Sequence, residues 1–571
     1  MKEKYAKQLA QDEVITKLRK AIGKGFTVSA DMLETPPNVK LGDIAFPCFE
    51  LAKGEKRNPV EIATELAAKI GPGKMVSKIS SAGPYVNFTF DLNYFGETVL
   101  GNIKLHGAKY GESVLGNGTK IIVDYAQPNT HKEFHVGHVR NALLGQSIIN
   151  VLRATGYEVV AASYIGDVGA HVAKALWGLK KFHDGEEFEH DERASRLGQI
   201  YTEASAYVED HPEAKEEIAE VQRKIESGDE EWVDLWKETR EWSLELFREI
   251  FEELGVDPDV WYFESQVEKP GKELVKKLLT SGVAKKSEGA TIIDLENEGL
   301  GVFLILKSDG SSLYATKDLA LAIKKDKDFG ADRQLFVVDV RQSLHFKQLF
   351  AAMKHAGFTK QLTHIDYDMV NLPEGTMASR SGNVVTYEDL RDEMIGELIM
   401  ETQKRHEDWS DKKIRETARK IALASISFIM LRQDPGSIIT FDKKEALSFD
   451  GFTAPYILYT IARIESIKKK AKIKPRINLS VLTSAEEYAL IRQLADYPLL
   501  IMRVATNYQV SAIAAWAFDT AKMFSEYYHD VHIIDENDKI VTAARLALVD
   551  SVRQVLENAM DLLTIDVVKE M

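Results

Sequence analysis

Two histidines, His135 and His138, stand three residues apart around Gly137 in HKEFHVGHVRN (131–141), with Lys132 just upstream. Three kinds of chemistry suit such a pair. A metal centre would use both imidazoles, but this is not an HExxH helix and the spacing supplies no third ligand. A packed helix cap would use one ring as the polar end of a helix. A phosphate site would use both at a helix N-terminus, where unpaired N–H groups and partial positive charge favour anions. Gly137 would then remove a side chain where a base or ribose approaches the backbone. The imidazoles would bond phosphate oxygens as charge develops on them.

The surrounding pattern favours the phosphate reading. KIIVDYA (120–126) reads as a short buried strand, and Val139, Leu143, Ile148 and Leu152 then recur near a helical period. YEVVAASYIGDVG (157–169) supplies a second strand and a Gly-rich turn. Strand, helix, strand is a βαβ unit, and such sheets bind ligands at the carboxyl ends of their strands. Upstream, residues 1–115 read as a compact α/β unit. VEIATELAAKI (60–70) is helical in spacing, with Asn58 and Pro59 placed as cap and first-turn residue. YVNFTF (85–90) reads as a strand, and GNGTK (116–120) as a turn that closes the unit. Downstream, residues 186–255 read as a charged helical insertion. Strand signals resume at GATIIDL (289–295), VFLILK (302–307), RQLFVVDV (333–340) and LTHIDYDMV (362–370). Beyond Ser410 the pattern is almost wholly helical.

Composition bounds what such a site can serve. The 571 residues predict three or four domains at the usual domain size. Lys and Arg number 73 against 88 Asp and Glu, a formal charge of −15, so the mean field repels polyanions. A nucleic-acid partner therefore requires local basic patches. One exists: RIESIKKKAKIKPR (463–476) has seven basic residues against Glu465, and Tyr456, Tyr459 and Arg463 precede or open it. Aromatic rings there stack on unpaired bases while lysines neutralise phosphate. Cys48 is the only cysteine, which excludes an intramolecular disulfide and a multi-cysteine zinc site. The start, MKEKYAKQLAQDE, has no apolar signal core, and runs such as LGVFLIL (300–306) are too short for a bilayer. A soluble, cytoplasmic protein with no membrane partner is expected.

HVGH matches the HIGH signature of class I aminoacyl-tRNA synthetases. Its wider context, VDYAQPNTHKEFHVGHVRNALLGQSI (123–148), resembles the signature segment of arginyl-tRNA synthetases, and YIGDVGAH (164–171) is similar to their next block. SFDGFTAPYILYTIARI (448–464) and the ending DLLTIDVVKEM (561–571) resemble their helical anticodon-binding domain. LGDIAFPCFELAK (41–53), NPVEIA (58–63) and GPYVNFTF (83–90) resemble their N-terminal domain. The resemblance implies an α/β Rossmann-type catalytic core with helical insertions (116–409), an α/β N-terminal domain (1–115) and an all-α anticodon-binding domain (410–571).

It also implies substrates and residues. ATP, with Mg2+, would lie at His135, Gly137 and His138. L-arginine and its tRNA would be the other substrates, with no organic cofactor, no resident metal and a monomeric chain. A KMSKS-like loop would fall in TMASRSGNVVT (376–386), with Met377, Arg380 and Gly382 at the nucleotide. Neither signature lysine is present: Thr376 and Ser379 stand near those positions, and Lys132 and Arg380 would supply the cation. A guanidinium's planar fork suits carboxylate oxygens. Asp124, at the end of the first strand, and Tyr314 with Asp318, four apart on a helix face, match the residues that hold the arginine side chain. Many members carry Glu where Asp124 stands. Asn129 and Gln342 match residues that hold the substrate's α-amino and carboxylate ends or line the pocket, and Asn87 with Phe88 would face the tRNA elbow. The resemblance further implies that tRNA binds before activation. A class I synthetase for another amino acid, a non-catalytic tRNA-binding relative and a metal-dependent hydrolase are the alternatives.

Overall fold

The computed structural model describes residues 4–373 and 385–571. At the N-terminus, helix α1 (Ala6–Ile22) lies beside a three-stranded antiparallel sheet of β1 (Ile44–Pro47), β2 (Val76–Ala82) and β3 (Tyr85–Phe90), with β3 central. Helices α2 (Phe49–Glu55) and α3 (Pro59–Lys69) join β1 to β2. As expected, Asn58 caps α3 by accepting the Val60 N–H, and Pro59 is the first helical residue. Helix α4 (Leu92–His106) leads out of the unit.

One expectation fails here. Phe88 is fully buried in the hydrophobic core and Asn87 is 2% exposed. Successive residues of a strand point to opposite faces, so β3 is covered on both sides. Neither side chain presents a surface to RNA.

The centre is a five-stranded parallel sheet. It holds β4 (Lys120–Tyr125), β5 (Glu158–Ile165), β6 (Val260–Phe263), β10 (Arg333–Asp339) and β11 (Gln361–Tyr367), in the order β11-β10-β4-β5-β6. The chain runs β4–β5–β6 to one side, then returns to lay β10 and β11 on the other. The order therefore reverses between β4 and β10, where Asp124 pairs in register with Phe336. A crevice at the carboxyl ends of these two strands is the ligand site such topology provides.

Helix α5 (Val136–Ala154) follows β4 and crosses it closely. A Cβ on Gly145 would lie 2.4 Å from Tyr125 Cβ. The insertion is α7 (Arg193–Asp210), α8 (Ala214–Ser227) and α9 (Glu230–Glu253), which packs with the preceding α6 (Ala170–Phe182) around Leu176, Trp177, Ala204 and Ile218. The last turns of α9 return to the main core through Phe247 and Phe251. Helix α10 (Glu264–Thr280) precedes β7 (Lys285–Ser287), β8 (Ala290–Leu295) and β9 (Gly301–Leu306). These three form a separate antiparallel sheet, so GATIIDL and VFLILK stay outside the central one. Helices α11 (Tyr314–Phe329) and α12 (Ser343–His355) flank β10, and β12 (Val370–Asn371) follows β11.

The rest is helical, as expected. It comprises α13 (Tyr387–Arg405), α14 (Asp411–Leu431), α15 (Lys443–Ala446), α16 (Ala454–Ala471), α17 (Ala485–Asn507), α18 (Ser511–Asp530) and α19 (Lys539–Leu562). The exception is β13 (Ile439–Thr440), which pairs with β12. Buried Arg140 of α5 clamps this region to the core by donating to the carbonyls of Asp368, at 2.6 Å, and Pro435, at 2.8 Å. Among the described residues no helix is long and apolar enough to cross a membrane.

The closeness of α5 to β4 is testable. Gly145→Ala should destabilise the fold by about 1–3 kcal/mol through overpacking, read as a lower urea midpoint. An unchanged midpoint would mean that helix and strand do not approach this closely.

Candidate active site

The imidazole pair opens α5. His135 is the cap residue, and its Nδ1 accepts the Gly137 N–H at 3.1 Å. His138 Nδ1 accepts the His135 N–H at 3.2 Å, and the two rings stack 3.8 Å apart. Each Nδ1 is thus an acceptor, which assigns the ring proton to Nε2. Burial, aided by Lys132, pushes the His135 pKa down to about 4. Burial, then His135 and Lys132, hold His138 well below its ordinary value. Both rings are therefore neutral near pH 7 and each keeps an Nε2–H to donate. The cap reading and the phosphate reading use different nitrogens of the same rings.

The pair lines a cavity of about 390 Å3 with Gln127, Asn129, Gln342 and Arg341. Gly137 does line it, but a Cβ there would first meet the His135 ring, at 3.0 Å. Its missing side chain makes room for the cap as well as for a ligand. Lys132 stands over the Tyr201 ring of α7, 5.2 Å from its centre. Thr376, Met377, Ser379, Arg380 and Gly382 lie outside the described residues. Arg341 was not singled out in the sequence. It follows β10 at the point of strand reversal, 71% exposed and bonded to Asp339 through two nitrogens.

A second cavity, of about 340 Å3, shares Gln127, Asn129, Val338 and Gln342 with the first. Its wall is acidic: Asp124, Glu264 and Asp318, with Tyr164 and Tyr314. The structure thus brings together all five residues expected to hold the amino acid. Asp124 departs from expectation in one respect. Its Oδ2 is bonded to buried Lys325 and its Oδ1 accepts from Gln127 at 2.7 Å, so it is a paired wall group rather than an open fork. Asp318 is bonded to His345 Nε2 at 2.7 Å. Tyr314, one helical turn before it, is 71% exposed at the mouth.

Glu264, missed in the sequence, opens α10 and pairs with Lys317 at 2.5 Å. Burial raises its pKa in spite of that lysine. The Tyr164 hydroxyl is buried with no hydrogen-bond partner among the described residues. Burial, then Asp318 and Glu264, hold its pKa well above the ordinary value. A buried orphan of this kind calls for a ligand or water.

Backbone geometry sets the shared wall. Asn129 bridges to Gly166, where a Cβ would lie 2.1 Å from Asn129 Oδ1. Beneath it, fully buried Asp167 accepts from Ser265 N at 2.9 Å and Arg240 at 3.1 Å, fastening α9 and α10 to the turn after β5.

On the helical region, Arg463 lies 4.5 Å from the Tyr459 ring centre and 5.1 Å from that of Tyr528. Both tyrosines are exposed. Tyr456 instead packs inward on Phe518, 5.3 Å between centres. Tyr528 comes from α18 and was missed, because nothing local links it to α16.

The family model for the catalytic domain of class I tRNA synthetases (R) matches residues 99–435. The arginyl-tRNA synthetase N-terminal domain matches residues 8–90 and the DALR anticodon-binding domain residues 457–571. The chain belongs to the arginyl-tRNA synthetase family. An arginine–tRNA ligase of Bdellovibrio bacteriovorus is 38% identical over 564 residues, 96% of each chain. One from Clostridium perfringens is 34% identical over 95% of this chain and 96% of its own. The solved arginyl-tRNA synthetase of Thermus thermophilus superposes with a TM-score of 0.81 at 25% identity, covering 99% of this chain and 100% of that one. Family membership makes the chain an arginine–tRNA ligase that takes ATP as a substrate. It disfavours a synthetase for another amino acid, a non-catalytic relative and a hydrolase.

The tautomer assignment predicts a spectrum and a stability profile. In nitrogen-labelled histidine spectra, the His135 and His138 rings should be neutral and Nε2-protonated at pH 5.5. Rings charging near 6.5 would contradict it. Unfolded histidines take up a proton near 6.5, whereas folded His135 resists until about 4. The contribution of this group to stability is therefore complete above 6.5 and lost as pH falls toward 4.

Proposed function

We propose that the two cavities divide the substrates of adenylate formation: the acidic one holds the arginine side chain and the imidazole one the ATP phosphates. The observation that carries this reading is their common wall. Gln127, Asn129 and Gln342 border both, so the α-carboxylate of an amino acid seated by its guanidinium would reach the nucleotide there. Asp318, Glu264 and the Tyr164 and Tyr314 hydroxyls are the groups that bind the guanidinium, with Asp124 held behind them by Lys325. Asn129 and Gln342 hold the α-amino and carboxylate end.

The first step is in-line attack of the arginine carboxylate on the ATP α-phosphorus, releasing pyrophosphate. The protein contributes position and charge without a covalent nucleophile. The His135 and His138 Nε2–H groups donate to phosphate oxygens as charge develops. Lys132, Arg341 and, outside the described residues, Arg380 provide positive charge in place of the absent loop lysines. Mg2+ enters with ATP as part of that substrate. Among the described residues no three metal-ligating side chains cluster, so the phosphates would be its main ligands. The second step passes the arginyl group to the 2′-hydroxyl of the terminal ribose. Tyr459, Arg463 and Tyr528 meet the tRNA on the helical region, and Lys470, Lys472 and Lys474, which follow in the chain, add positive charge. The domains divide near residues 115 and 410, and the chain acts as a cytoplasmic monomer.

Two substitutions test the division. Asp318→Asn removes the charge from one hydrogen bond to the guanidinium, worth about 2–3 kcal/mol. The arginine KM should rise ~30- to 150-fold, with KM for ATP little changed. An unaltered arginine KM would overturn the assignment. His138→Ala should lower the rate of ATP–pyrophosphate exchange about a hundredfold, with little effect on tRNA affinity. An unchanged exchange rate would remove the imidazoles from the first step.

A further inference from the structure

Glu253, the last residue of α9, holds three side chains from two other helices. Its Oε2 accepts from the Tyr387 hydroxyl at 3.0 Å and from Arg391 Nη1 at 2.9 Å, both on α13. Its Oε1 accepts from Arg419 Nη2 on α14 at 2.7 Å. Burial pushes its carboxyl pKa up, and the bonds from Arg419, Arg391 and Tyr387 outweigh that and leave it below the ordinary value. It is an ionised hub in a partly buried place, where charge-assisted bonds are strong.

Tyr387 connects this hub to the imidazoles. Its ring is fully buried and meets the Phe134 ring edge-on, 6.3 Å between centres. Its N–H donates to the Phe134 carbonyl at 2.9 Å, and the preceding Thr386 bridges to His135. Phe134 lies directly before His135, and its ring stands 5.1 Å from that of His138. Helix α9 thus grips the start of α5 twice. Phe247 and Phe251 touch Phe134 on its apolar side, and Glu253 reaches it through Tyr387.

We propose that Glu253 is a positioning residue for adenylate formation: through Tyr387 and Phe134 it sets the imidazole pair, and through Arg419 it ties that placement to α14. The proposal rests on the reading of the imidazoles as phosphate donors. It gives α9, the end of the helical insertion, a role beyond packing. It also makes the nucleotide cavity sensitive to how the first of the C-terminal helices sits.

Tyr387→Phe removes one hydroxyl, Glu253→Gln removes the charge at constant shape, and Arg419→Met cuts only the α14 arm. Tyr387→Phe and Glu253→Gln should each lower the kcat of tRNA-dependent ATP–pyrophosphate exchange about tenfold, with arginine KM unchanged. Both should shift the labelled His135 and His138 ring signals. The double variant should fall no further than Glu253→Gln alone, because the two act as one unit. Arg419→Met should give a smaller loss of the same kind, and Glu253→Asp should retain more activity than Glu253→Gln. Unmoved ring signals overturn the proposal. So does full additivity, or a loss that falls on the thermal midpoint and leaves kcat intact. His138→Ala separates the two readings. If it leaves exchange intact, the phosphate role fails while displaced rings in Tyr387→Phe still uphold the hub. If the rings stay in place, the hub fails whatever His138→Ala does.

Discussion

The structure depends on the reciprocal cap at the start of α5. Two imidazoles accept backbone N–H groups through Nδ1, satisfying two of the donors a helix N-terminus leaves unpaired. The same bonds fix the tautomer and leave two N–H groups for a ligand. A positive ring is disfavoured here three times over, by burial, by the positive end of the helix and by Lys132. The pair is consequently a set of neutral donors in a positive field. Such donors favour an anion without the cost of keeping two cations buried side by side. The fold repeats the economy further along α5. Asn141 of the next turn donates to the Val337 carbonyl on β10, and Arg140 holds the carbonyls before β12 and β13. One helix start thereby fixes the two central strands and the C-terminal region around a common point.

The acidic cavity is governed by charge balance. Three carboxylates, Asp124, Glu264 and Asp318, face two ammonium groups, Lys317 and Lys325. Counted as ionised, these five groups leave one negative charge in excess, the charge that the guanidinium proposed for this cavity would neutralise. The buried Lys325–Asp124 pair belongs to this balance, because an unpaired carboxylate at that depth would be costly. A substrate cation of the wrong shape satisfies the charge but not the geometry. A point-charge ammonium cannot make parallel bonds to several fixed oxygens at once, and the Tyr164 hydroxyl would stay unpaired.

How much of this was legible follows from the range of each signal. The β4–α5 junction, the Tyr314–Asp318 spacing and the Asn58–Pro59 helix start are local patterns, and the structure has them where the sequence indicates. Lys325, Glu264, Arg341 and Tyr528 are not local. Lys325 meets Asp124 across 201 residues, and Glu264 meets Lys317 across 53. Only the strand order brings them together, and helical periodicity marks Lys325 as just another charged residue of α11. The error at Asn87 and Phe88 has a different origin. The family resemblance assigns a role to two positions on a strand, whereas YVNFTF, apolar at four of six positions, itself reads as a buried strand. The strands GATIIDL and VFLILK were legible as strands, but no residue pattern says which sheet a strand joins.

The acidic mean charge and the tRNA partner are reconciled by where the basic residues are spent. Lys468 is paired with Glu465 and Asp550, and Lys469 with Glu570. These lysines fasten α16 to α19 and to the chain end, and they add little to the outward field. Lys470, Lys472 and Lys474 have no ion pair among the described residues, and they follow the Tyr459–Arg463 stretch of α16 in the chain, Lys470 in its last turn and the other two beyond it. Arg463 lies against the Tyr459 and Tyr528 rings and is thereby held ready rather than ordered on binding, which lowers the entropic cost of contact. With a formal charge of −15 opposing non-specific polyanions, a local basic and aromatic surface of this kind is what the proposed tRNA contact requires, because only a locally reversed field would draw RNA to one place.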